Sequence, residues 1–347
     1  MKDYSNRNIS FDILRIISAI SIVLMHLTSG NLYSLEIGSA GWTTSALINS
    51  VSHFGVPIFV MISGALFLSP GKEIDIKKLW IHNILRITVC FVLWSFIYGI
   101  IDFVEYRNGF KGFIWCAIVS RPHLWFLPMI IGLYIISPIL LRWVKSASEA
   151  EIRYFIIIFI VFQIGAESLK AFHFADMVDT VMDMRNVTLV CSYAGYFVIG
   201  YYIVHIGLKK VTKKILYILG GLGLASSIFM LIFVSIKHGI AAAELVDSYM
   251  SFTFFYSVSL FSLIFDLFKD RKVPYGLKWA VSEVGIDTFG LYLSHLLIIE
   301  NIPIIGRLHD AMPLAAGILF YCFAVVLIGI LGSALLRRIP FVGRYIC

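Results

Sequence analysis

The chain has 347 residues, of which 59% are hydrophobic and only 14% charged, with a formal net charge of +7 and a mean hydropathy of +0.89. A water-soluble domain carries about 25% charged residues, so the composition excludes an ordinary soluble fold and points to a chain that lives in lipid. The basic excess is not gathered into a stripe with interleaved aromatics, which excludes a nucleic-acid footprint.

Apolar runs long enough to cross a bilayer, about 20 residues each, recur along the whole length. Ten spans are predicted, at about 11–29, 50–68, 79–101, 123–141, 152–168, 188–206, 214–236, 249–268, 284–303 and 312–336. Gln163 and Glu167 interrupt the end of the fifth. Only helices and closed barrels satisfy backbone polar groups in lipid. The expected fold is therefore an all-α integral membrane bundle, one domain over 1–347 with no appended soluble domain. The longest loops are expected at 30–49, 102–122 and 169–187.

Arg15 and His26 lie in the first span, separated by ten residues. Eleven steps make almost three helical turns, so both side chains project from one face, about 16 Å apart along the axis. An ionisable side chain inside hydrocarbon costs about 2.5–3.5 kcal/mol on insertion scales, so two on one stripe suggest a polar site. The alternatives are an Arg15 that snorkels to the interface and a His26 that packs as a satisfied core residue. Ser10 is a candidate cap for this helix, with Asp12 in its first turn and three residues from Arg15. The two charges also make the segment a retained span rather than a cleavable signal.

In the second span, Pro57 is expected to free a backbone carbonyl, and Ser63-Gly64 to permit close helix approach. His53 at its outer end is an interfacial residue or part of an acceptor pocket. Arg86 lies about two turns into the third span and either snorkels or reaches the same cavity as Arg15. Two guanidinium groups approaching from one side suit a polyanion such as a nucleotide phosphate. Before the fourth span, Arg121 and His123 stand at the outer face beside Trp125 and Phe126, which fit an aromatic belt. His295, in the ninth span, comes to about the level of His26; its alternative is a structural hydrogen bond.

Placing the N-terminus in the cytoplasm puts 19 of the 28 Lys and Arg on the inner side and seven outside, with Arg15 and Arg86 within spans. That asymmetry is what the positive-inside rule expects, with both termini cytoplasmic. The five cysteines show no metal-like spacing, and their odd number argues against a disulfide framework. No metal is expected.

These residues together resemble acyltransferase family 3, the bacterial integral-membrane O-acyltransferases of cell-surface glycans. The resemblance rests first on Arg15 and His26 at their spacing, with Asp12. Val56-Pro57-Ile58-Phe59, Ser63-Gly64, Arg86 and Trp94 follow in family order, then His123-Leu-Trp-Phe-Leu127, Tyr196-Phe197, Gly200-Tyr201-Tyr202 and Gly290-Leu-Tyr-Leu-Ser-His295. The form at 123–127 looks closest to the branch that includes the enterobacterial common antigen O-acetyltransferase.

The resemblance implies a multi-pass protein of the bacterial cytoplasmic membrane. It would move an acyl group, usually acetyl, from cytoplasmic acyl-coenzyme A to a hydroxyl of a cell-surface polysaccharide or lipid-linked saccharide. It implies acetyl-coenzyme A as donor, with Arg15 and Arg86 holding its phosphates and His26 as the catalytic base. His53, Ser63, Arg121, His123 and His295 would be acceptor or supporting residues, with Ser63, a tyrosine or backbone N–H groups as the alternatives for the oxyanion donor. Some relatives carry an extracytoplasmic domain that completes transfer, so this chain would act alone or with a separate extracytoplasmic partner. Another relative, the membrane half of serine racemases, keeps a transporter of a small serine-like molecule as the alternative.

Overall fold

A computed structural model describes residues 4, 7–106, 121–169, 192–302, 312–340 and 343. Every regular element among them is helical. In chain order these are α1 (Ile9–Ser34), α2 (Ala40–Ser52), α3 (Gly55–Phe67), α4 (76–106), α5 (Phe126–Ser146), α6 (Glu149–Leu169), α7 (Ala194–Ile206), α8 (Lys210–His238), α9 (Ser251–Phe268), α10 (Tyr275–Asn301) and α11 (Leu314–Leu336). Among the described residues, eight helical segments are long and apolar enough to span a membrane, and α7 and α10 occupy the places of the predicted sixth and ninth spans. The beginning of the sixth span and the end of the ninth lie outside the described residues, as do Cys116, Cys191 and Cys347. Cys90 and Cys322 are buried and form no disulfide among the described residues.

The expected loop at 30–49 is mostly helix. The first helix runs on to Ser34, and α2 starts at Ala40 because the Ser39 side chain accepts from the Trp42 amide. Trp42 is fully buried and its indole donates to the Leu32 carbonyl at 3.1 Å, folding α2 back along α1. Asn49 ties the same pair together, donating to Met25 O, Thr28 Oγ1 and Ser29 Oγ. The chain then breaks at His53 and Phe54. Pro57 falls in the first turn of α3, where a missing N–H removes no intrahelical bond. It starts a helix instead of kinking one.

Other departures are local. Asn8, not Ser10, caps α1, accepting from the Ser10 amide at 2.9 Å, while the buried Ser10 hydroxyl reaches the Phe265 carbonyl. Residues Leu79–Ile84, Ile160–Gly165 and Tyr202–Ile206 form π-helical turns within α4, α6 and α7. The fourth helix continues to residue 106, so the part of the expected 102–122 loop from 107 to 120 lies outside the described residues, as does most of 169–187.

The first helix is central, packing on α2, α3, α9, α10 and α11. Large apolar side chains such as Phe229, Phe233, Leu319 and Phe323 face outward, as a lipid-facing surface requires. Small residues bring backbones together: a Cβ on Gly64 would meet Phe197 O at 1.8 Å, and one on Gly200 would meet Met61 O at 2.0 Å. Several of the basic residues expected on the inner side are paired. Lys145 donates to the Lys72 carbonyl at 2.6 Å, Lys213 pairs with Asp266, and Arg337 bridges Glu283 and Asp287 at 2.5 and 3.0 Å.

Candidate active site

The stripe on α1 is real, and its two ends have different surroundings. At one end the fully buried Asp12 accepts from Arg7 Nε at 2.7 Å, Arg7 Nη2 at 2.6 Å, Arg15 Nη1 at 2.9 Å and Ser282 Oγ at 2.8 Å. Gly285 lets α10 approach; a Cβ there would meet Asp12 Cβ at 2.9 Å. A charge-assisted set of this kind fixes the guanidinium groups in place. Arg15 therefore does not simply snorkel: part of its binding capacity is spent on its own helix, and the rest faces a cavity.

That cavity has a volume of about 330 Å³. Arg7, Arg15, Ser63, Arg86 and Tyr134 make its polar lining, while Phe59, Ile130 and Phe289 are among its apolar walls. The structure thus brings Arg15 and Arg86 into one space and puts Ser63 with them; the Ser63 hydroxyl also donates to the Phe59 carbonyl at 3.0 Å.

The other end of the stripe holds a cluster of imidazoles. Ring centroids lie 5.0 Å apart for His26 and His295, 5.1 Å for His123 and His295, and 6.4 Å for His26 and His123. His123 is not on an exposed loop: it is 3% exposed, in a 3₁₀ turn over Pro122–Trp125. The fully buried His295 has its Nδ1 2.6 Å from the Tyr292 carbonyl. A carbonyl only accepts, so Nδ1 carries the proton and Nε2 is the nitrogen left for another partner. Neither ring nitrogen of His123, nor Nε2 of His295, has a hydrogen-bond partner among the described residues.

A second cavity, about 240 Å³, is lined by His26, His53 and His123 with Ser52, Asp247 and Ser248. His53 is held by Asn49 Oδ1 at 3.0 Å from its Nε2. Arg121 lies outside this lining. It is committed to ion pairs with Asp102 and, at 3.2 Å, Glu300, and its guanidinium sits 5.7 Å from the Tyr98 ring centroid. It anchors the turn that carries His123 to α4 and α10. No group of three His, Cys, Asp or Glu among the described residues is placed to hold a metal ion.

Sequence reasoning passed over several residues here. Tyr98 supports His123 from α4, with ring centroids 5.1 Å apart, and its hydroxyl donates to the Leu293 carbonyl at 2.9 Å. Tyr292 donates its hydroxyl to the His123 carbonyl. The signal for Tyr292 was its position one helical turn before His295, which shares that face. For Asp247 and Ser248 no local signal existed.

Two cavities, one rimmed by arginines and one by histidines, share Ile22, Phe126 and Tyr292 as walls. Such an arrangement can hold an anionic group at one end and move a proton at the other. No curated protein and no solved structure matches the chain. A family model, described as the acyltransferase domain, matches residues 8–335, nearly the full length and the whole stripe. The chain belongs to acyltransferase family 3, a family of membrane proteins that transfer acyl groups.

Proposed function

We propose that this protein transfers an acyl group, normally acetyl, from cytoplasmic acyl-coenzyme A to a hydroxyl of a cell-surface polysaccharide or lipid-linked saccharide. The observation that carries this reading is the pair of adjoining cavities, with Arg15 and Arg86 lining one, His26 the other, and three side chains lining both. The positive-inside distribution supports an arginine cavity on the cytoplasmic side, where acyl-coenzyme A is made, and a histidine cavity in the outer half of a bacterial cytoplasmic membrane. The form of residues 123–127 favours acetyl as the group and the branch of the enterobacterial common antigen enzyme.

Arg15 and Arg86 would hold the donor's phosphates, with Ser63 beside them, and the pantetheine arm would run along the apolar walls toward His26. His26 accepts the proton of the acceptor hydroxyl, the oxygen forms a bond to the thioester carbon, and the carbon–sulfur bond breaks. The proton then passes to the leaving thiolate, giving the ester and free coenzyme A. His295, with its proton fixed on Nδ1, keeps Nε2 open beside His26 and would orient the base by accepting from an N–H of His26 once the two rings turn toward each other, the role a third group plays in hydrolytic triads. His53 and His123 would meet the sugar, and Arg121 supports them by fixing the turn that carries His123.

Incubation of the purified protein with radiolabelled acetyl-coenzyme A and lipid-linked or polymeric glycans tests the reading. Labelled glycan is the expected product. Uptake of a small solute into proteoliposomes without any acyl transfer would overturn it.

A further inference from the structure

The wall between the two cavities is ordered. Ile22, Phe126 and Tyr292 line both. Each stands one helical turn from one of the clustered histidines: Ile22 four residues before His26, Phe126 three after His123, and Tyr292 three before His295. Because residues three or four apart share a face, the three side chains form an apolar layer against the three imidazoles. That layer is packed. The Phe126 and Tyr292 ring centroids are 5.5 Å apart, Phe59 backs Phe126 at 6.3 Å, and Ile22 and Tyr292 are buried.

We propose that Ile22, Phe126 and Tyr292 form a collar that the acyl end of the donor must pass to reach His26, and that the width of this collar sets the length of acyl chain transferred. The inference rests on the acyl-coenzyme A reaction proposed above. One helical turn rises about 5.4 Å; a thioester's carbonyl carbon is bonded directly to its sulfur, so the sulfur must itself enter the collar for that carbon to reach the histidines. An acetyl group adds only a methyl beyond that carbon. A butyryl group must put two further methylenes either within the collar or into the cavity of about 240 Å³ that also has to admit the acceptor hydroxyl. Ile22 and Phe126 contribute only apolar atoms to the wall, so they can be trimmed without removing a polar contact. Tyr292 cannot, because its hydroxyl holds the His123 carbonyl.

The test supplies acetyl- and butyryl-coenzyme A together, with different radiolabels, to inside-out membrane vesicles carrying the full chain and the producing cell's own glycans. Label in the glycan fraction is read for the wild type, Ile22→Ala and Phe126→Leu, and vesicles carrying His26→Ala supply the background. The butyryl-to-acetyl ratio is internal to each sample, so a reduced folded fraction cancels. In Ile22→Ala it rises by about tenfold or more, as a pocket enlarged by a methylene or more permits. Phe126→Leu gives a smaller rise. A ratio unchanged or lowered in both variants overturns the collar, as does a wild type that transfers both groups equally. A wild type that labels glycan with neither group above background overturns the acyl-coenzyme A reading itself, and the collar with it.

Discussion

The two ends of the α1 stripe solve the problem of polar groups in lipid in opposite ways. At the Arg15 end a single buried carboxylate takes four donors, from Arg7, Arg15 and Ser282. At the His26 end, both ring nitrogens of the buried His123 and the Nε2 of the buried His295 have no hydrogen-bond partner among the described residues. Leaving a buried polar group unsatisfied costs about 1–3 kcal/mol. The Arg15 end invests its hydrogen bonds in holding charge at a fixed position. The His26 end keeps hydrogen-bonding capacity in reserve beside a cavity. Positioning is therefore expected to fail by unfolding when disturbed, and chemistry by loss of turnover in an intact fold.

His26→Ala breaks the chemical end and should lower acyl transfer by about 10²–10⁴-fold, with an unchanged elution profile in detergent; near-wild-type transfer to glycan would remove His26 from the reaction. Asp12→Ala breaks the positional end. It leaves two guanidinium groups without their buried counter-charge and should destabilise the protein by about 3–5 kcal/mol, seen as early thermal aggregation of the solubilised protein. An Asp12→Ala protein as stable as the wild type would mean that Arg7 and Arg15 do not depend on it. Arg15→Ala sharpens the contrast, because it removes donor contacts while Asp12 keeps Arg7 and Ser282. The expected change is a rise of about tenfold or more in the KM for acetyl-coenzyme A, the value of one charge-assisted hydrogen bond, with kcat much less affected. A KM that stays put would take Arg15 out of phosphate binding. Arg121→Ala is the mildest. Its ion pairs are partly exposed, so their loss should cost only about 1 kcal/mol, read as a small drop in melting temperature with a modest loss of transfer from a less firmly held His123.

Much of this contrast was legible in the chain. A helical period of 3.6 residues is enough to put Arg15 and His26 on one face, and the alternation of inner and outer loops is enough to bring His295 to the level of His26. What was hidden depends on partners far away in sequence. Asp12 was read as a neighbour of Arg15, but its coupling to Ser282 spans 270 residues and no local pattern encodes it. Arg121 looked like a group open to an acceptor because Asp102 and Glu300, which claim it, sit at the edges of other segments. Ser63 shares a predicted span with His53, yet it faces the arginine cavity while His53 faces the histidines. The reason is the break at His53 and Phe54, which hydropathy averages over. The π-helical turns escaped for the same reason, since widening a turn leaves mean hydropathy unchanged.

The contact between Gly64 and Phe197, mirrored by Gly200 and Met61, has a mechanical consequence. Where no Cβ fits, two helices are locked in register. Sliding α3 by one turn would drive Val60 or Leu68, on the same face as Gly64, into the α7 backbone. The pair must travel as one body, so any motion that admits donor or acceptor has to be made by other helices swinging around a fixed post.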